Sequence, residues 1–494
     1  MAKCNTKSYV VEFDLATTES DNAILETRFR IVHHITNVLV KHAIHCIKNL
    51  ERDKTYKMIM NNYSKTKKFS KEEKDVLNSL RLKYGLSEYQ FHDYAKTQSE
   101  MYNLGSTIVQ KIATRTWSSV HSYLFKNGEK IHFKKNRDIK SYENKCNGAN
   151  IIFKNNMISN NGLKMPIKYK KNDTLINNAL KDIKNNYTKV KYCRIIRKWH
   201  KNKYVYKCQL ILEGISPKKN NIPILIDKTV GIDIGTSTIA VVSDNNYIFK
   251  ELAENIALID REKRQLQRHR DRQNKANNPN NFNIDGTVKK GCKYWHRSNA
   301  MIKTDNKIKT LCLKRSNQLK QSHILLANEI LKLGSNIIVE DMQWSALAKK
   351  SKKTEISDKT GKYKKKKRFG KTIANHAPST LISIINTKLG YIDKQVNKVD
   401  CFKTCATKFN HVTGEFMDTD LNTRFVNING NEIQRDLHSA FNLKYIIISK
   451  DKYDYDINAM NENFDSFILK HNELLDSLKN QKQLGHKFPS CMGI

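Results

Sequence analysis

The chain has 494 residues, and its 89 lysines and arginines against 48 aspartates and glutamates leave a net charge of +41. With 39% hydrophobic residues, 18 glycines and 6 prolines, the composition fits packed domains and excludes a disordered or collagen-like chain. No segment approaches the run of about 20 apolar residues that spans a bilayer, and the first residues lack an apolar signal-peptide core. Ten scattered cysteines are typical of a reducing compartment. The charge predicts a nucleic-acid partner, and we expect no membrane association.

The first part of the chain alternates between strand and helix patterns. Residues 8–15 alternate apolar and polar side chains, which predicts a half-buried strand. Helical spacing follows over about 21–50, 70–83 and 86–124. From about residue 130 the apolar period returns to two, and the segments KVKYCRIIRKW and YVYKCQLILEG predict a β-hairpin turning at residues 200–203.

A second part begins near residue 223. The segment TVGIDIGTSTIAVVSDNNYIFK predicts three short strands joined by tight turns. Two long helices are expected over about 252–274 and 298–333, separated by the polar loop NNPNNFNIDGTVKKG, and a buried strand in SNIIVEDM. Further helices are expected over 379–397 and 433–449, and an amphipathic helix after residue 450.

Three acidic residues stand in settings that favour a catalytic role. Asp233 lies inside an apolar strand, Glu340 ends the apolar run of residues 337–339, and Asp436 begins a predicted helix. A carboxylate in such a strand costs free energy unless it is paired or binds a metal ion. A strand Asp in a hairpin, a strand-end Glu and a helical Asp, in this order, predict a ribonuclease H-like nuclease core. Carboxylates of this kind hold two Mg²⁺ ions about 3.5–4 Å apart for phosphodiester hydrolysis.

One alternative for the first motif is an actin-like nucleotide-binding fold. GIDIGTSTIAVV resembles the first phosphate loop of such ATPases, but these proteins also need a second glycine-rich loop near the later Asp. Around Asp436 the sequence offers only Gly430. A small nucleotide also gives no reason for a charge of +41.

A set of motifs between about 229 and 446 gives the chain a specific resemblance. They are GIDIGTSTIAVV, NNPNNFNIDGTVKKG with YWHRS, NIIVEDMQWSALAKKSKKTE, KKKKRFGKTIANHAP, FNHVTGEF and IQRDLHSAFNL. In this order they resemble the TnpB proteins of bacterial insertion sequences, which are RNA-guided DNA endonucleases and ancestors of type V CRISPR effectors. The resemblance implies catalytic, Mg²⁺-binding roles for Asp233, Glu340 and Asp436.

The resemblance also implies an α/β multidomain architecture. A first wedge strand is expected in 1–20, a helical recognition domain in 21–126 and an OB-like wedge β-barrel in 127–222. An RNase H-like RuvC nuclease domain would occupy 223–449, with a degenerate zinc-ribbon-like nucleic-acid-binding insertion at about 398–432. A C-terminal helical tail would follow in 450–494.

The activity implied is cleavage of both strands of a double-stranded DNA target by one RuvC site with two Mg²⁺ ions. A guide RNA, either an omega RNA or a CRISPR-type RNA, would select the target beside a short flanking motif. We expect one protein monomer per guide RNA, in the bacterial cytoplasm near the nucleoid. Three alternatives remain open: a miniature type V CRISPR effector, a guided repressor that does not cleave, and a transposase that uses the acids for strand transfer.

Zinc binding is not expected, although many members of this family carry a zinc ribbon. Here only Cys401 and Cys405 stand in the ribbon region, with His411 and His438 as further possible ligands, whereas a structural zinc site needs four. We expect aromatic packing to replace the metal, through Phe402, Phe409, Phe416 and Phe425.

Two basic segments are expected to contact nucleic-acid phosphates, which contributes affinity without choosing sequence. The first lies on the long helix expected over about 252–274, and the second is a run of cations in the loop after Glu340. The residues are Arg261, Lys263, Arg264, Arg268, Arg270 and Arg272, and then Lys364, Lys365, Lys366, Lys367 and Arg368.

Overall fold

The computed structural model of the protein describes residues 6–66, 68–125, 128, 130–200, 202–214, 224–350, 354–357, 369–418, 423–449 and 452–494. It divides into two units, Met1–Lys218 and Lys219–Ile494, which are treated separately below. Within the described ranges, no helix is both long and apolar enough to cross a membrane.

The structure confirms the first predicted helix, against which three later helices of the first unit pack. A Thr18–Asp21 capping box starts it, and its apolar stripe, including Leu25 and Phe29, is buried. The expected single helix over 86–124 is wrong, because Asn103 and Gly105 both take positive φ angles and end one helix before the next begins. The helices are α1 (Glu19–Arg52), α2 (Lys54–Thr66), α3 (Lys71–Lys83), α4 (Glu88–Tyr102), α5 (Ser106–Leu124) and α6 (Thr174–Lys184).

The sheet of the first unit has the strand order β2-β6-β7-β1-β5-β4-β3. The predicted hairpin is confirmed as β6 and β7, with His200 opposite Lys203. The Asn144 side chain accepts a hydrogen bond from the Cys193 amide on β6 and donates one to the Ile151 carbonyl on β3, so the far end of the sheet curls back. The strands are β1 (Ser8–Leu15), β2 (Ser141–Glu143), β3 (Ile151–Lys154), β4 (Met157–Asn160), β5 (Leu163–Lys168), β6 (Val190–His200) and β7 (Lys203–Glu213).

The second unit is built on a five-stranded sheet with the order β10-β9-β8-β11-β12. The first three strands form the predicted antiparallel meander, and β11 and β12 extend the sheet in parallel with β8. The strands are β8 (Thr229–Ile234), β9 (Thr238–Val242), β10 (Tyr247–Glu251), β11 (Asn336–Glu340) and β12 (Asn397–Val399).

Smaller strand pairs and helices complete the second unit. The helices are α7 (Ile256–Asn277), α8 (Asn299–Leu331), α9 (Trp344–Ala348), α10 (Gly370–His376), α11 (Pro378–Leu389), α12 (Cys401–Thr404), α13 (Arg435–Lys444) and α14 (Ile457–Gln483). The strand pairs are β13 (Phe409–Asn410) with β14 (Glu415–Phe416), β15 (Phe425–Ile428) with β16 (Asn431–Gln434), and β17 (Ile446–Ser449) with β18 (Lys452–Tyr455).

The expected helix over 433–449 is too long at both ends. Ile433 belongs to strand β16, and the β-branched run Ile446–Ile448 pairs with β18 instead of extending the helix. Helix α13 therefore spans only Arg435–Lys444, and Asp436 lies in its first turn.

Different helices cover the two faces of the five-stranded sheet. Ile232 and Ile234 pack on the face that also buries residues of α8 and α11. On the other face α13 and α14 bury Phe441 and Phe467 against side chains of β9 and β10. Gly231 lies on this second face, where a Cβ atom would overlap the Ala440 carbonyl oxygen of α13. The missing side chain is what lets α13 rest directly on strand β8.

Replacing Gly231 by alanine should push α13 away from the sheet. We expect the unfolding free energy to fall by about 1–3 kcal/mol or more, because the new methyl group would overlap backbone atoms of α13. Thermal melting and amide hydrogen exchange over 435–444 would measure the effect. Gly390→Ala is the matched control, since nothing lies within 4 Å of its added Cβ. Equal stability of the two variants would contradict the close approach.

Candidate active site

Asp233 and Glu340 lie side by side on adjacent parallel strands. Ile232 is in register with Val339, so the next residues along β8 and β11 are Asp233 and Glu340. Neighbouring strands are about 4.8 Å apart, and side chains alternate between the two faces of a sheet. Since Ile232 and Val339 point into the core shared with α8 and α11, both carboxylates point to the opposite face.

Helix α13 brings the third acid to that same face. The Gln434 side chain accepts a hydrogen bond from the Leu437 amide, at 2.9 Å, and caps the helix. Asp436 follows in the first turn, and Ser439, one turn later, donates a hydrogen bond to the Asp233 carboxylate. At its other end the helix is held by an ion pair between Lys444 Nζ and Asp244 Oδ1, at 2.6 Å.

The charges of Glu340 and Asp436 act on Asp233. Burial, together with the nearby negative charges of Asp436 and Glu340, raises the pKa of Asp233 well above its ordinary value. Burial raises the pKa of Glu340 from 4.5 to about 7. Each of the three side chains is half-buried, so each still reaches the surface. The structure therefore brings the three predicted acids together as one electrostatic cluster.

Two neighbours of this cluster were not predicted from the sequence. Arg435 holds Asp436 through its Nε and Nη2 atoms, at 3.2 and 3.0 Å from Oδ1. Ser439 is fully buried and hydrogen-bonds Asp233. A helical wheel places Ser439 on the face of Asp436, because residues three apart lie on the same helix face. Arg435 carried no signal beyond its position next to Asp436.

The donor set is that of a hard divalent cation, because carboxylate oxygens are the preferred ligands of Mg²⁺. Within the described residues, however, no three His, Cys, Asp or Glu side chains are already gathered around a common metal-binding point. Asp436 is paired instead with the adjacent Arg435. By donor chemistry the three acids suit a hard divalent cation, while Asp436 stays paired to the arginine.

The predicted basic residues of α7 divide between two settings. Lys263 and Arg264 pair with Asp260, and Arg270 pairs with Asp271 and approaches Asp305 at 3.8 Å. Residues at spacings of seven and four lie on one helix face. This face is exposed and carries Arg261, Arg268 and Arg272. The second predicted group, Lys364, Lys365, Lys366, Lys367 and Arg368, lies outside the described residues.

The ribbon region differs from its prediction. Phe402, in the first turn of α12 after the N-cap Asp400, is 87% exposed, so its expected packing role is wrong. Phe409 packs against Tyr455 at a ring-centroid distance of 3.9 Å and less closely against Phe416. Cys401 and Cys405 stand at the two ends of α12, where the Cys405 thiol donates a hydrogen bond to the Phe402 carbonyl.

No protein-family model and no curated protein sequence matches the chain. Solved structures similar to it include a Cas12f1–sgRNA–target DNA complex, with 11% identity, a TM-score of 0.42 and coverage of 89% of this chain and 99% of that one. Another is a CRISPR–Cas12f ternary complex, with 12% identity, a TM-score of 0.28 and coverage of 88% and 83%. Similarities at this level do not establish a shared fold.

The raised pKa of Glu340 predicts a measurable stability change. Its folded-state pKa of about 7 exceeds the ordinary 4.5, so the stability gained from the protonated form is complete below about pH 4.5 and is lost as the pH rises through 7. In EDTA at pH 8, the free energy of unfolding of Glu340→Gln should therefore exceed that of the unmodified protein by on the order of 1–3 kcal/mol. At pH 4.5 the two proteins should be equally stable. A variant that is less stable at pH 8 would contradict the burial of this carboxylate.

Proposed function

We propose that the protein is an RNA-guided DNA endonuclease with a single RuvC-type active site. The observation that carries this proposal is the convergence of Asp233, Glu340 and Asp436 on one face of the five-stranded sheet. Their order along the chain and their three supporting elements are those that the resemblance to TnpB implies. A net charge of +41 supports a large nucleic-acid partner and gives no support to a small-molecule substrate.

The sheet topology supports a ribonuclease H-like core for residues 223–449. An antiparallel meander, β8 to β10, continues into parallel strands β11 and β12, and α13 crosses the face that carries the acids. In the first unit, the curled sheet supports the OB-like wedge and the helices α1 to α5 support the recognition domain. These domain assignments belong to the proposal.

Two Mg²⁺ ions, when bound by Asp233, Glu340 and Asp436, would supply an activated water and stabilise the leaving oxygen of a DNA phosphodiester. The residues of this chain prepare that site. Ser439 fixes the Asp233 carboxylate by a hydrogen bond, and Arg435 orients the Asp436 carboxylate at the helix start. Burial raises the pKa of Glu340 to about 7, so a bound cation would compete with a proton for this carboxylate.

Target choice is assigned to a guide RNA, whose pairing with DNA would select the site while the protein reads a short flanking motif. The exposed arginines of α7 are suited to backbone phosphates, which they would contact without regard to sequence. All three acids are present, which favours cleavage of both strands over a guided repressor. Whether the RNA comes from a transposon or from a CRISPR array is a property of the neighbouring DNA. Zinc is not part of the proposed site.

Asp233→Asn should abolish Mg²⁺-dependent cleavage of a plasmid that matches the guide, by at least about 10³-fold. Loss of a metal ligand removes several kcal/mol of transition-state stabilisation. Guided binding to the same DNA should remain, as measured by gel shift at equal protein concentration.

The matched control is Asp227→Asn. Asp227 precedes strand β8, at the end opposite to Asp233, and its side chain is 80% exposed beside Lys394. This variant should cleave like the unmodified protein. Cleavage by Asp233→Asn at the unmodified rate would contradict the proposed site, and cleavage without any RNA would contradict the guide.

A further inference from the structure

The loop that joins α7 to α8, residues 278–298, is folded by its own hydrogen bonds. The Asn278 side chain accepts from the His296 amide, at 2.6 Å, and donates to the His296 carbonyl, at 2.9 Å. Asn281 donates in the same way to the Tyr294 carbonyl, at 2.7 Å. A bridge between Phe282 and Val288 closes the loop end around Gly286. These side-chain contacts to backbone hold the two arms of the loop in one arrangement.

This ordered loop presents apolar and aromatic side chains to solvent. Tyr294 is 88% exposed and Ile284 completely so, and Val288 is 52% exposed. Behind them Phe282 meets Trp295 edge to face, with ring centroids 5.7 Å apart, and Lys275 Nζ lies 5.8 Å from the Phe282 centroid. A cluster of large exposed apolar side chains on a structured loop is typical of an interaction surface.

The charges around the loop indicate what would bind there. Between residues 275 and 297 the chain has five cations and one acid, Asp285. The acid is occupied within the loop by the Thr287 amide and hydroxyl. Lys289, Lys290 and Lys293 flank the aromatic residues and are exposed. Exposed rings beside cations suit a nucleobase that stacks while its phosphates are neutralised, whereas an apolar protein partner would leave these lysines desolvated.

The loop lies far from the carboxylate cluster. Strand β10 runs parallel to β8, since both are antiparallel to β9, and so α7 starts from the sheet edge that carries Asp233. The 22 residues of α7 then extend about 33 Å. The phosphodiester that is cut therefore does not lie at this loop. A guided nuclease must release its cut DNA while it retains its guide, and so RNA is the nucleic acid expected at a site away from the cut.

We infer that the α7–α8 loop is a second nucleic-acid site, in which Tyr294 stacks on an unpaired base of the bound RNA and the flanking lysines contact its phosphates. This inference rests on the proposed function only for the choice of RNA. The stacking itself follows from the exposed ring, the rigid loop and the local charge.

The test is binding of fluorescein-labelled hexauridylate to the full-length protein, by anisotropy across a salt series. Tyr294→Ala should weaken binding roughly 5- to 100-fold, the range measured for one stacked base, and leave the salt slope unchanged. Tyr294→Phe should bind like the unmodified protein, because the ring is kept. A Lys289→Ala, Lys290→Ala double variant should instead reduce the slope by about 1.4, or about 0.7 per lost phosphate contact.

Specificity has its own control and comparison. Tyr187→Ala removes another tyrosine, 80% exposed, and should not change binding. Crosslinking of a 5-iodouridine hexamer, followed by peptide mapping, should identify Tyr294 or Trp295. Unchanged binding by Tyr294→Ala, an equal loss in Tyr187→Ala, or crosslinks to 5-iododeoxyuridine DNA alone would overturn the inference. If Asp233→Asn abolishes cleavage but none of the changes expected for the loop variants is seen, the proposed function stands and this second site does not.

Discussion

The proposed site depends on one constraint, which is that three acidic side chains share one face of the five-stranded sheet. Asp233 and Glu340 are adjacent because two parallel strands are in register, and Asp436 joins them because α13 rests on strand β8. Burial of these carboxyl groups costs free energy, which appears as the raised pKa of Asp233 and Glu340, and the neighbouring negative charges add to the rise at Asp233. Under the proposed function, a pair of hard cations would offset this cost by binding the carboxylate oxygens.

The surrounding packing keeps this cluster in place. Gly231 allows the backbone of α13 to reach the sheet, and the cap at Gln434 and the ion pair of Lys444 with Asp244 fix the two ends of the helix. Arg435 then balances part of the negative charge from within the same turn. The cluster is thus built on regular elements, which hold side chains more precisely than loops do.

Periodicity and residue type predicted most of the strands and helices that carry the cluster. A charged residue inside the apolar strand GIDIG is conspicuous whatever the fold, and the meander, the strand of Glu340 and the long helices α7 and α8 follow from apolar spacing. Two failures have different origins. The break before α5 is local, since Asn103 and Gly105 take positive φ angles that end a helix, and apolar spacing alone does not register it. The exposure of Phe402 is a tertiary property, which its aromatic residue type does not predict. Ser439 carries its signal only once Asp233 is known to lie across from α13.

The central claim is that Asp233, Glu340 and Asp436 together hold two divalent cations. Anomalous diffraction from crystals of the protein soaked in Mn²⁺ at pH 8 tests it most directly. The account predicts two peaks about 3.5–4 Å apart among the three carboxylates, with Asp436 released from Arg435. Manganese absent from this face, or a single ion bound away from Asp233, would contradict it.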